Sequence, residues 1–381
     1  MKYFHTYKLN QMIKIFLFIL TLSILLFLSK ENFESVKNST TLFLSSVFPS
    51  LFPFILFTTI ILNTNLYSLL EKLFGKILSK IFHVPPASSI AILTGFLCGF
   101  PMGAKSVETL YETQKISKQT AIKLLFFVNN CNPSFILSTI GIGIFYDSKI
   151  GWILFLSHYL SAILIGIVSS RICSTNIIHK TSDFSNIPSK KESIISTTSA
   201  FDILKKSLNQ TFLTLLNIFG FMTLFNLLFS VSSIFLNYMT SNTTLLAFLS
   251  CILEVTKGCK DISLLPISSL EQITFASFAL GFSGFCIIFQ IYSVLPKLQL
   301  KLKNIVIPKL IQGILSAIIT YILLRFTNIY SSPLASVFRN HDSYYVEYIH
   351  QLSNSYILST IILILGITLF YIFETVREQK K

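Results

Sequence analysis

Charge is scarce in this chain. Asp, Glu, Lys and Arg make up 12% of its 381 residues, against about a quarter in soluble globular domains. Acids are rarer than bases, 16 against 30, and there is a single tryptophan. The six cysteines, Cys98, Cys131, Cys173, Cys251, Cys259 and Cys286, include no CxxC pair and have no His-rich run beside them. The low charge excludes a chain that folds in water. The cysteine spacing argues against a zinc site and against a disulfide framework, so these residues read as small packing groups. HExxH, GxSxG and paired-Asp motifs are also missing, which leaves an intramembrane enzyme without support. No metal, cofactor or catalytic centre is therefore expected.

What the chain does have is apolar residues, 52% of the total. That composition predicts an all-α polytopic membrane protein. A net charge of +14 would suit nucleic acid, but its Lys and Arg fall mostly in short loops on alternating sides of apolar segments. That is the positive-inside pattern, and the expected partner is the lipid bilayer, not nucleic acid.

With about 20 residues per span, helices are expected near 12–29, 41–63, 151–170, 210–236, 306–325 and 352–373. Two more spans, near 121–145 and 271–295, are interrupted. The stretches 87–104 and 244–258 are too short or too broken to cross and read as re-entrant hairpins. Residues 66–82 have helical spacing with a basic face, the mark of an interfacial amphipathic helix. Lys2, Lys8 and Lys14 before an apolar run resemble a signal peptide, but Lys30-Glu-Asn-Phe-Glu34 offers no cleavage site. An uncleaved first helix is expected.

Eight spans and two hairpins, with both termini cytoplasmic, put nearly all of the +14 excess on one side. The inner basic segments in that scheme include 297–309. Trp152, Tyr330, Tyr344, Tyr345 and Tyr348 fall where an aromatic belt is expected. The expected units are 1–40 (first helix and outer loop), 41–170 (first repeat), 171–209 (polar cytoplasmic linker), 210–325 (second repeat) and 326–381 (outer loop and last helix).

Two stretches stand out inside apolar surroundings: Gly95-Phe-Leu-Cys-Gly-Phe-Pro-Met-Gly-Ala-Lys105 and Asn129-Asn-Cys-Asn-Pro133. Bilayer hydrocarbon offers no partners for free backbone groups, so broken helix survives only inside protein or along a cavity. Both halves run helix, hairpin, broken helix, helix. The odd number of intervening crossings reverses the second half, which predicts an inverted structural repeat with a midplane solute site. Leu253-Glu-Val-Thr-Lys-Gly-Cys259 parallels the first hairpin, and Gly281-Phe-Ser-Gly284 with Gln290 parallels the asparagine stretch.

Gly95 and Gly99 read as packing residues, and Gly103, between Pro101 and Lys105, as the chain break. Glu254 and Lys257, three apart, share a face. They are a candidate site pair or a structural ion pair closing the hairpin. Three amides ahead of a proline exceed what packing needs. His158 reads as a helix–helix hydrogen bond, with a proton relay as the alternative. The candidate site is Gly103, Lys105, Asn129, Asn130, Asn132, Glu254, Thr256, Lys257, Ser283 and Gln290.

Phe48-Pro-Ser-Leu-Phe-Pro-Phe54, Gly99-Phe-Pro-Met-Gly-Ala-Lys105, Asn129-Asn-Cys-Asn-Pro-Ser-Phe135, Leu253-Glu-Val-Thr-Lys-Gly258 and Gly281-Phe-Ser-Gly284 with Gln290 resemble the YlbJ/SpoVV sporulation integral membrane proteins, of the nucleoside-recognition (Gate) group. The resemblance runs in order over about 10–325. It departs at Cys131-Asn132, where the family more often has a small residue, and at Ser283, where it has glycine. It implies a fold related to concentrative nucleoside transporters, a role in spore maturation and dipicolinic acid as cargo. The membrane it implies is the mother-cell-derived one around the forespore.

Half-helix N-termini suit a dicarboxylate, Lys105 and Lys257 add charge, and Phe100, Phe135 and Phe282 could flank its ring. The expected function is a transporter or facilitator for this small-molecule anion, with a sodium or proton coupling ion left open. The alternatives are a nucleoside-like solute or a non-transporting assembly factor of the spore envelope.

Overall fold

The computed structural model describes residues 28–64, 66–172, 199–239 and 242–327, together with Ser23 and Leu26. Among the described residues every regular element is helical. The first helix, α1 (Ser29–Leu42), passes through a widened turn at Phe43–Val47 into α2 (Phe48–Asn63). Pro49 explains the widening, because its ring would clash with the carbonyl four residues back, inside that turn. Residues 30–40, expected as an outer loop, are helical instead: nothing between Ser29 and Leu42 is Gly or Pro.

The amphipathic helix α3 (Leu66–Phe82) lies where the spacing predicts it. It leaves Leu69, Leu73, Phe74, Ile77 and Ile81 exposed, beside exposed Lys72, Lys76 and Lys80. The first hairpin follows, α4 (Ser89–Leu97) and α5 (Met102–Glu112). Next come α6 (Lys118–Leu125), a non-helical stretch at 126–132 and a π-helical segment, Phe135–Ile142. The long α7 (Ser148–Ile172) ends the first half, with Trp152 55% exposed near its start, as an aromatic belt requires.

In the second half α8 (Ala200–Met239) begins inside the stretch expected as linker. It is followed by the hairpin α9 (Thr243–Leu253) and α10 (Val255–Ser263). Then come α11 (Ser269–Phe282), α12 (Gly284–Ser293) and α13 (Lys303–Thr327).

Five of these helical stretches are long and apolar enough to cross a membrane: 29–63, 148–171, 200–234, 269–293 and 303–327. A sixth arises if α3 and the following helix, bent by 102°, count as one span. Of the eight spans expected, the one near 121–145 is assembled from short pieces. That near 12–29, apart from Ser23, Leu26, Leu28 and Ser29, and that near 352–373 lie outside the described residues, as do the tyrosines of the last loop.

The continuous run of α1 and α2 lies antiparallel to α8 and is tied to it along its length. Asn226 Nδ2 donates to Ser39 Oγ (2.9 Å), Thr59 and Thr211 hydroxyls meet at 3.1 Å, and Asn63 Nδ2 donates to Gln210 Oε1 (2.8 Å). Phe43, Leu51 and Ile55 pack there with Leu215, Ile218 and Met222, and the same cluster takes in Cys98, Met102 and Cys286. Both the first hairpin and the second broken helix therefore reach the α2–α8 wall.

Candidate functional site

The first break follows from its asparagines and proline. Pro133 disfavours helical geometry at Asn132, and asparagine side chains offer the backbone rival partners. Asn132 Oδ1 accepts from Ser134 N–H (2.8 Å), capping the new helix with Pro133 as its first residue. Asn130 Nδ2 donates to Phe127 O (2.8 Å) and Asn129 Nδ2 to Leu125 O (3.3 Å).

The remaining groups of the unwound stretch are stitched to other elements. Cys131 N–H donates to His158 Nε2 on α7 (3.1 Å), and Tyr159 Oη–H donates to Cys131 O (2.9 Å) and Phe96 O (2.6 Å). From α13, Lys309 Nζ donates to Asn129 O and to Gln312 Oε1 (2.9 Å), while Gln312 Nε2 donates to Asn130 Oδ1 (2.9 Å). The hairpin joins through Phe100 N–H to Asn130 O (2.9 Å) and Asn132 Nδ2 to Leu97 O (3.3 Å).

Glycine lets the hairpin come this close. Gly95 and Gly103 both abut the Val128 carbonyl, with no room for a Cβ. The break itself is at Gly99, whose φ of 79° is left-handed. Gly103, expected at the break, is instead a packing residue within α5, and Gly99, read as packing, also bends the chain.

The second break is simpler. Helix α11 ends at Ser283, and α12 restarts at once through Gly284, both with φ of 71°. A Cβ at Gly284 would stand 3.2 Å from Leu253 O and 3.4 Å from Glu254 N, so this kink sits on the tip of the second hairpin. There Glu254 caps α10: Oε1 accepts from Thr256 N–H (3.0 Å) and Oε2 from Lys257 N–H (2.7 Å). A carboxylate is well placed at a helix N-terminus.

Lys257 does not pair with Glu254 through its side chain. Its ammonium meets Asp261 at 3.1 Å and lies 4.4 Å from the Phe229 ring centre. The backbone N–H groups have already taken the Glu254 oxygens.

Residues 44–148 match the nucleoside-recognition (Gate) family model. The chain is also similar to the sporulation integral membrane protein YlbJ of Bacillus subtilis (strain 168). Identity is 28% over 357 residues, which cover 87% of this chain and 84% of the relative. The resemblance drawn from the motifs is thereby borne out. No solved structure matches the chain. The Gate match takes in the whole first hairpin and first break.

The candidate residues thus fall into two groups. Asn129, Asn130 and Asn132 gather with the first hairpin, and Glu254, Thr256 and Ser283 with the second. Cys131 Sγ, 3.7 Å from Leu280 O, links the first break to the helix that leads into the second. Lys105 stands apart, with Nζ 3.4 Å from Thr214 Oγ1 on α8. Gln290 Nε2 reaches only Cys286 Sγ (3.2 Å) in its own helix.

Three residues were missed or undervalued by the sequence reading. Lys309, counted there as the last charge of a basic loop, is 3% exposed inside α13. Gln312 lies one turn on, and the Lys309–Gln312 spacing after Pro308 in an apolar helix was the available signal. His158 makes the expected structural bond, but to unwound backbone. Three side-chain atoms in and near these groups are buried without partners: Asn129 Oδ1, His158 Nδ1 and Gln290 Oε1.

At the far end of the first hairpin, Glu108 Oε1 accepts from Lys297 N–H, holding α5 to the segment before α13. Burial pushes the Glu108 carboxyl above the usual carboxylate range, against the pull of that bond.

Proposed function

We propose that this chain is a sporulation membrane transporter or facilitator for a small organic anion, with dipicolinic acid as cargo. It works by alternating access between two oppositely oriented repeats, within eight spans and two hairpins. The observation that carries the reading is the pair of hairpin-on-break contacts. Gly99 sits against Asn130 and Asn132 in one half, and the Leu253–Glu254 tip sits against Gly284 in the other. Interrupted backbone in an apolar protein is a cost that a passive anchor has no reason to bear. The antiparallel run of α2 and α8, the first long helices of the two halves, supports an inverted relation. We place both termini in the cytoplasm and the protein in the mother-cell-derived membrane around the forespore, following its likeness to YlbJ.

A second reading takes its support from the matched model, whose description is nucleoside recognition. On that reading the amides of Asn129 and Gln290 hydrogen-bond a base. Uptake of labelled dipicolinate into liposomes holding the full chain separates the two. Saturable uptake that excess uridine and adenosine leave unchanged supports the anion reading. Uptake of nucleoside alone supports the second, and no uptake of either leaves an assembly role.

A further inference from the structure

We infer that Lys309 is the fixed positive charge that recognises the cargo's carboxylate, with His158 Nδ1–H as a second donor to it. This rests on the anion reading above and names the residues that would serve it. An ammonium has three N–H donors. The protein supplies Lys309 with two acceptors, Asn129 O and Gln312 Oε1, and both are neutral. Among the described residues no carboxylate lies within ion-pair distance of Lys309.

Burying an ammonium without a counter-charge costs several kcal/mol. A structural pin on the Asn129 carbonyl needs only a neutral donor, which Gln or Ser would provide without that cost. The charge itself therefore has a use, and the missing partner is an anion.

His158 gives the independent sign. Its Nε2 accepts from Cys131 N–H, so the ring is neutral and its proton is on Nδ1. That N–H is fully buried and has no acceptor. Buried donors are rarely left so. Lys309 and His158 hang on residues 129 and 131 of the same unwound stretch, two Cα steps of about 3.8 Å apart. Two side chains that anchor one short piece of backbone thus each keep an unspent donor, one of them charged. An acceptor-rich anion such as a carboxylate meets both needs, and the exit of Gln312 Oε1 from the ammonium would free a further donor for it.

The test uses the full chain in liposomes with labelled dipicolinate. Gln312→Glu places a resident carboxylate where Oε1 now lies 2.9 Å from the ammonium. Uptake is expected to fall roughly tenfold or more, and further than in Gln312→Leu, which likewise loses the Nε2 donor to Asn130 Oδ1 but adds no charge. Uptake within about twofold of the parent overturns the inference. If Gln312→Glu does not fold, the parent protein decides the matter by competition. Neutral pyridine-2,6-dicarboxamide is expected to compete far more weakly than unlabelled dipicolinate, and equal competition overturns the assignment. A parent that takes up no dipicolinate refutes the anion reading itself, and this inference with it.

Discussion

The two interrupted helices break in different ways. The first loses helical geometry over 126–132 and is held by side chains from α7, α13 and the first hairpin. The second turns on two residues, Ser283 and Gly284, and Ser283 N–H still reaches Ala279 O at 2.8 Å. A left-handed kink frees few backbone groups and needs only close packing. An unwound stretch frees several, and polar side chains must be buried to meet them. Fixed positive charge and unspent donors therefore collect at the first break, whereas the Glu254 carboxylate at the second is spent on backbone N–H groups.

That difference can be attacked by substitution. The largest effect is expected at Gly95, where alanine would drive a methyl group into the Val128 carbonyl. Loss of about 3 kcal/mol or more, seen as lost monodisperse protein in detergent, is expected. Gly284→Ala meets left-handed strain and a 3.2 Å contact and should cost about 1–3 kcal/mol. The reverse order would make the second break the more constrained one.

Next, His158→Phe strands the Cys131 N–H and should cost about 1–3 kcal/mol in thermal unfolding. Gln290→Leu removes only a bond to sulfur at the second break and should cost under about 1 kcal/mol. Equal losses would erase the contrast between the breaks. Glu254→Gln removes the charge of the α10 cap and turns an NH2 towards one of its two backbone N–H groups, for a loss of about 1–2 kcal/mol. The smallest effect is a gain: nothing lies within 4 Å of a Cβ at Gly220 in α8. Gly220→Ala should stabilise by about 0.5–1 kcal/mol.

The breaks were legible in the sequence because Gly, Pro and Asn are out of place in apolar runs. The hairpin arms and α3 were legible from length and periodicity. Lys309 was not, because it stands six residues into its helix beside genuinely basic loop positions, where a charge count cannot tell a buried ammonium from a solvated one. Residues 30–40 were misread because polarity was taken for a loop, whereas helix continues wherever nothing breaks it. Lys105 and Lys257 were chosen for charge near a break. Their long side chains carry that charge away, to Thr214 and Asp261, and only coordinates reveal such a direction. The pairing of Glu254 with backbone instead of Lys257 has the same origin: a helix N-terminus offers a carboxylate two N–H groups at once.

The central claim is that the solute binds at the first break and that the second only supports it. Amide hydrogen exchange of the full chain in nanodiscs, with and without dipicolinate, tests this most directly. The account predicts added protection at 126–134 and around Gly99, with 250–256 and 281–286 unchanged. Protection confined to the second break, or none at the first while uptake proceeds, would contradict it.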